Sequence, residues 1–189
     1  MEADKTKWNE RHGCKTGHHA PDNYLIKNLS RLKPGHALDL ACGRGRNAFY
    51  LAENGFQVTA ADISDTGLNV LAKEALKRGL EIRCCEADFD LADHLFPLHS
   101  FDTVIIINFK PAVKLLRMLP SLLTSNGTLL WCSYNNLQAE ISGFPIDLAL
   151  NESEFSSGFN GLNLLDYSRF EDETGFRDGY LFIGSQAFR

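Results

Sequence analysis

Short apolar runs and longer amphipathic stretches follow one another along the chain, and their order predicts strands alternating with helices. Residues 37–41, Ala-Leu-Asp-Leu-Ala, are apolar apart from one carboxylate and read as a strand covered on both faces. Residues 46–54 place Ala48, Phe49, Leu51 and Ala52 for packing, with Gly55 suited to end the helix. A second strand over 57–61 delivers Asp62 to its carboxyl tip, and a helix over 65–78 carries Leu68, Leu71, Ala72, Ala75 and Leu76 as expected core. A third strand is predicted over 80–85 and a fourth over 101–109, where Val104-Ile105-Ile106-Ile107 marks the centre of a parallel sheet.

Upstream, Pro21-Asp22-Asn23 opens a helix whose buried stripe is Tyr24, Leu25, Leu29 and Leu32 and whose end is Pro34-Gly35. Downstream, Pro111 opens another with Val113, Leu115, Leu116 and Leu119, which Pro120 is expected to kink or divide. Asn126-Gly127 then turns the chain into a fifth strand over 128–134. Residues 135–161 have little pattern and predict a loop with one short helix near 151–155. Residues 162–170 and 180–186 are strand-like, and the polar stretch between them has no helical period, so they should pair as an antiparallel hairpin.

Composition narrows the function classes. A chain of 189 residues with 44% hydrophobic content fits one globular domain. A formal charge of -5, with Lys and Arg spread out, argues against a nucleic-acid partner and favours a small-molecule substrate. No stretch reaches the roughly 20 apolar residues of a membrane helix, and the polar start lacks a signal-peptide core, so a cytoplasmic location is expected. The five cysteines follow no disulfide or metal-ligand spacing. His12, His18 and His19 lack acidic or thiol partners at such spacing, so no metal is expected.

The chemistry concentrates after the first strand. Asp39-Leu40-Ala41-Cys42-Gly43-Arg44-Gly45-Arg46-Asn47 is a strand end, a loop that glycine alone builds easily, and a helix start, which is how an α/β sheet offers its backbone to a ligand. Asp39 is a carboxylate inside an apolar strand and must find a donor, either a turn amide or a ligand ammonium. Asp62 stands about 20 residues beyond the loop, where an acid bonds ribose hydroxyls; capping the next helix is its bland role, although Ser64 can do that instead. Gly43-x-Gly45-x-x-Ala48 also satisfies the dinucleotide fingerprint, so a nicotinamide oxidoreductase is the rival enzyme.

These residues resemble the first two motifs of the class I S-adenosylmethionine-dependent methyltransferases. Gly43-Arg-Gly-Arg-Asn47 together with Trp8-Asn-Glu-Arg11 is similar to the small tellurite-resistance and thiopurine methyltransferase-like group. The resemblance implies a three-layer Rossmann-like α/β sandwich, with a seven-stranded, mostly parallel sheet whose last strand is antiparallel. It implies S-adenosylmethionine as cofactor and S-adenosylhomocysteine as product. Asp39, Ala41, Cys42, Gly43 and Gly45 would hold the methionine end, Asp62 the ribose, and Asp88 with Phe89 the adenine, with Asn47 and Ile63 also lining the cofactor. Asn108 would border the methyl group, and Phe109 and Lys110 would stand on the acceptor side, where the group often has a His or an Arg before the proline. Residues 1–20 would form a lid closed by Trp8 and Arg11 over a domain spanning 21–189. Asp39 before the loop, Asp88 after the third strand and the terminal hairpin favour this cofactor over a dinucleotide. The implied reaction is methyl transfer to a small molecule bearing a soft nucleophile such as a thiol or a metalloid oxyanion. A regulatory protein that binds the cofactor without transferring its methyl group is the alternative.

Overall fold

In a computed structural model, which describes residues 2–14, 17, 20–89, 96–152, 154, 155, 158, 159 and 161–184, the apolar runs become seven strands. They are β1 (His36–Leu40), β2 (Gln57–Asp62), β3 (Ile82–Glu86), β4 (Phe101–Ile107), β5 (Leu123–Tyr134), β6 (Leu162–Asp172) and β7 (Gly175–Gly184). The helices are α1 (Glu2–Cys14), α2 (Asn23–Asn28), α3 (Arg46–Glu53), α4 (Asp65–Arg78), α5 (Val113–Leu122) and α6 (Asn136–Ser142). One sheet forms in the order β3-β2-β1-β4-β5-β7-β6, and β7 alone is reversed, pairing antiparallel with β5 and β6. The carboxyl ends of β1 to β5 therefore open on one edge, where a ligand of an α/β sheet sits.

Strand alternation divides the core between the two faces. Leu38, Leu40, Val104, Ile106, Leu129, Trp131, Tyr180 and Phe182 point to the side covered by Leu115, Leu119 and Leu122 of α5. Ala37, Val58, Ala60, Ile105, Leu130 and Leu181 point to the side covered by α2, α3 and α4 through Tyr24, Leu25, Phe49, Leu51, Leu68 and Leu71. Truncating a fully buried central side chain such as Ile105 to Ala would cost about 2–5 kcal/mol.

Several expectations need correction. Pro120 does not divide α5, because it lies in the last turn, and the helix passes at Leu123 into β5, which starts before the expected residue 128. On α4, Leu68, Leu71 and Ala75 are buried, but Ala72 and Leu76 turn outward, Leu76 being 82% exposed. The short helix lies at Asn136–Ser142 rather than near 151–155: Asn135 caps it through the amides of Leu137 and Gln138, and Gly143 ends it at φ 69°. Residues 171–179 are not a long connection, since β6 and β7 continue through them to a turn at Glu173-Thr174. The polar side chains there, Arg177 and Asp178, are buried because each finds an opposite charge. His18, His19, Ser153 and Gln186 lie outside the described residues. Among the described residues no helix is long and apolar enough to cross a membrane, and all five cysteines are free thiols.

Candidate active site

The loop after β1 reverses direction through Ala41, Gly43 and Gly45, at φ 57°, 56° and 84°. Left-handed backbone strains any residue with a Cβ, so glycine fits here on conformational grounds. At Gly45 packing adds a second reason, because a Cβ would lie 2.5 Å from Leu71 of α4. The Cys42 amide donates to the Ala61 carbonyl at 3.1 Å and ties the loop to β2, and Gly45 donates back to the Cys42 carbonyl at 2.9 Å. Gly67, in the first turn of α4, brings that helix so close that a Cβ there would lie 2.8 Å from the Gly43 carbonyl oxygen.

Two carboxylates serve this loop differently. Asp62, nearly buried at the tip of β2, accepts the Gly43 N–H at 2.7 Å and the Ser64 N–H at 2.8 Å. Ser64 caps α4, accepting from Gly67 at 3.0 Å, so Asp62 is not needed as the cap. Asp39 is 1% exposed, and its Oδ2 has no hydrogen-bond partner among the described residues. Burial and the nearby Asp62 charge push the Asp39 carboxyl up to about 8, against the opposing pull of Arg46 and the Ala48 amide. An orphaned acceptor beside a glycine loop is a costly vacancy in the hydrogen-bond account of the fold, and a cationic donor fills it. The α-ammonium of S-adenosylmethionine is such a donor, so the residues present fit that cofactor.

Helix α1 lies across the same edge. Lys5 pairs with Asp65 at 3.1 Å and with Glu86, and Asn9 accepts from the Ser64 hydroxyl at 2.7 Å. Buried His12 rests against Gly43 and Gly67, Trp8 stacks on it at 5.8 Å, and the Arg11 guanidinium lies 5.0 Å over the Trp8 ring. Cys42 is buried, Ile63 and Asp88 are half-buried, and Asn47 directs its side-chain oxygen to the Asp22 amide at 2.9 Å.

Asn108 stands exposed at the end of β4 at φ 57°. Phe109 tilts against buried Phe89 with ring centroids 5.7 Å apart, and its carbonyl accepts from Trp131 Nε1 at 2.9 Å. Lys110 turns away to the Ala149 carbonyl at 2.8 Å and Glu154 at 3.0 Å. Sequence reasoning missed the ion network beside this tip. Arg177, 1% exposed, joins Asp22 at 2.9 Å and Asp172 at 3.0 Å, and Arg46 meets the same Asp22 at 3.0 Å. These residues border a cavity of about 250 Å³ that Pro21 and Thr174 also line. His12 and Asn9 were missed as well, since nothing in a polar helix marks which side chains face a loop far along the chain.

A sheet of this order with one reversed strand carries a glycine loop braced by a β2 acid and an orphaned β1 carboxylate beside it, an arrangement that suits a ligand with a cationic donor at its loop end. Residues 37–127 match the family model described as a methyltransferase domain. Among solved structures, the protein described for conversion of a disulfide bond into a thioacetal group during echinomycin biosynthesis is 21% identical, with a TM-score of 0.74 over 99% of this chain and 93% of its own. TehB from Haemophilus influenzae is 17% identical, with a TM-score of 0.70 over 96% of this chain and 67% of its own. The N-methyltransferase NodS from Bradyrhizobium japonicum, solved with S-adenosylhomocysteine, is 16% identical, with a TM-score of 0.68 over 93% of this chain and 86% of its own. A comparison with curated proteins finds no match.

Proposed function

We propose that this chain is an S-adenosylmethionine-dependent methyltransferase that acts on a small molecule bearing a soft nucleophile, a thiol or a metalloid oxyanion; the methyltransferase-domain match over residues 37–127 supports the reading. The observation that carries the cofactor end is the orphaned Oδ2 of buried Asp39, which a ligand ammonium would satisfy. In this reading Asp39 and residues 41–45 hold the methionine end, Asp62 the ribose, and Asp88 and Phe89 the adenine, with Asn47 and Ile63 also along the cofactor. Each Asp62 oxygen accepts one amide and keeps a second lone pair for a sugar hydroxyl. Asn108, Phe109 and Lys110 border the methyl group, and Trp8 and Arg11 close the site against water. The similarity of Trp8 to Arg11 and Gly43 to Asn47 to the tellurite-resistance and thiopurine methyltransferase-like group supports this acceptor class.

The cofactor supplies an activated methyl group on a sulfonium. The chain's own task is then to orient the acceptor in line and exclude water, which is proximity catalysis. Lys110 is held by Glu154 and the Ala149 carbonyl, so it shapes the acceptor wall rather than moving a proton. The test is incubation with S-[methyl-³H]adenosylmethionine and a panel of thiols, thiopurines, tellurite and selenite. Label should appear on a thiol or metalloid product; label on none of them contradicts this acceptor class.

A further inference from the structure

The tip of β4 has a fixed polarity. Asn108 leaves the strand in a left-handed conformation, its N–H donating to the Cys132 carbonyl at 2.8 Å, and its side chain is exposed at the mouth. Its Oδ1 accepts from Arg177 Nη2 at 3.0 Å. A guanidinium has donors and no acceptor, so only one orientation of the amide makes this bond: oxygen toward Arg177, NH₂ turned away from it. Arg177 has little freedom to swing, because its Nη1 is bonded to Asp22 at 2.9 Å and Asp172 at 3.0 Å and the side chain is almost wholly buried. Asp22 is anchored in turn by Arg46 and by the Tyr24 amide, each at 3.0 Å.

The carboxylates around this tip are engaged. Asp22 serves Arg46 and Arg177, Asp172 serves Arg177, Asp178 takes a two-pronged bond from Arg169 at 2.9 Å, and Glu154 holds Lys110. Their oxygens already accept charge-assisted hydrogen bonds from these cations. This side of the site therefore offers a donor and no free base among those residues.

We propose that Arg177 is a positioning residue for methyl transfer: by holding the Asn108 oxygen it presents the NH₂ group to the acceptor, selecting an anionic nucleophile, a thiolate or oxyanion. The inference rests on the methyltransferase reading above and deepens it. The acceptor's lone pair forms the bond to the methyl carbon, the carbon–sulfur pair returns to the cofactor sulfur, and no proton has to move. A neutral amine would instead develop positive charge on transfer, which the positive end of the Asn108 NH₂ dipole opposes.

The test uses S-[methyl-¹³C]adenosylmethionine bound to the intact protein, with the methyl resonance read by NMR. Asn108→Asp keeps an exposed residue tolerant of left-handed backbone and turns an oxygen toward the methyl group, where C–H···O contact moves the resonance downfield. The wild-type signal should lie upfield of the Asn108→Asp signal. Arg177→Gln should move it toward the Asp position, and Arg177→Lys, still a donor without an acceptor, should restore it. A wild-type signal coincident with that of Asn108→Asp overturns the proposal, as does a folded Arg177→Gln protein with an unmoved signal. If Arg177→Gln fails to fold, the comparison of wild type with Asn108→Asp decides. In a paired transfer assay with thiophenol and aniline, label should reach the thiol; label on the amine or on neither counts against the anionic class. A wild-type protein with no bound-methyl signal contradicts the methyltransferase reading itself, a failure distinct from those of Arg177 and Asn108.

Discussion

Gly43 donates its backbone N–H to Oδ2 of Asp62 at 2.7 Å, joining the glycine loop after β1 to the tip of β2. The other Asp62 oxygen takes the Ser64 amide at 2.8 Å, so one carboxylate fixes the loop and the start of α4 together. Asp62→Ala strands both amides and removes the proposed ribose acceptor. Hydrogen bonds to a charged group contribute about 1.5–3 kcal/mol each, so a melting experiment should show a clear loss of stability. Affinity for S-adenosylhomocysteine should fall by about a hundredfold, equivalent to about 2.8 kcal/mol. Asp62→Asn should lie between, since an amide must turn NH₂ toward one of the two donors.

Asp39 gives a pH signature. Its carboxyl has an ordinary value of 3.8 and is raised to about 8 in the folded chain, first by burial and then by Asp62. Between those values the folded protein keeps a proton that the unfolded chain has lost, so this group's contribution to stability falls as pH rises and levels off above about 8. Asp39→Asn should remove that decline and be more stable relative to wild type at alkaline pH than at acid pH, as denaturant titrations would show.

The ligand should read the same group. An ammonium beside Asp39 favours the ionised carboxylate, so binding of S-adenosylhomocysteine should release protons and tighten from about pH 6 to about pH 8, where the ligand's own amine begins to titrate. Titration calorimetry in buffers of different ionisation heat measures the release. Asp39→Asn should bind weakly and release none.

Two glycines of one loop should respond differently to alanine. Gly45 combines φ 84° with Leu71 at 2.5 Å from a Cβ, so strain and overpacking add to about 2–4 kcal/mol in a urea titration. Gly43, at φ 56°, would meet the His12 ring of α1 at 3.0 Å, and a terminal helix shifts more easily than a core leucine. Its alanine variant should lose only about 1–2 kcal/mol of backbone strain.

Deleting residues 1–14 should leave the sheet folded, because His12 is the one buried side chain of α1. The lid reading then predicts faster dissociation of S-adenosylhomocysteine from the shortened protein, measured by stopped flow. An unchanged rate would reduce α1 to a surface ornament.

The sheet was largely legible because its central strands are buried on both faces and carry apolar runs, Val104 to Ile107 above all. Asp39 and Asp62 were legible as the exceptions within such runs. Arg177 and Asp178 were not, because a charged pair in sequence reads as solvent-exposed loop and only the fold brings Asp22, Asp172 and Arg169 to neutralise it. For the same reason Asn108 could be placed at the strand tip, but the direction of its amide depends on a residue 69 positions away. Helix α6 had its signals in Asn135 and Gly143, yet exposed Ile141 gives no buried stripe to announce it.

The most direct measurement is calorimetric titration of the full chain with S-adenosylhomocysteine and, separately, with NAD⁺. The account predicts saturable heat with the first, strongly weakened in both Asp39→Asn and Asp62→Ala, and none with the second. Heat with NAD⁺ and none with S-adenosylhomocysteine would contradict it.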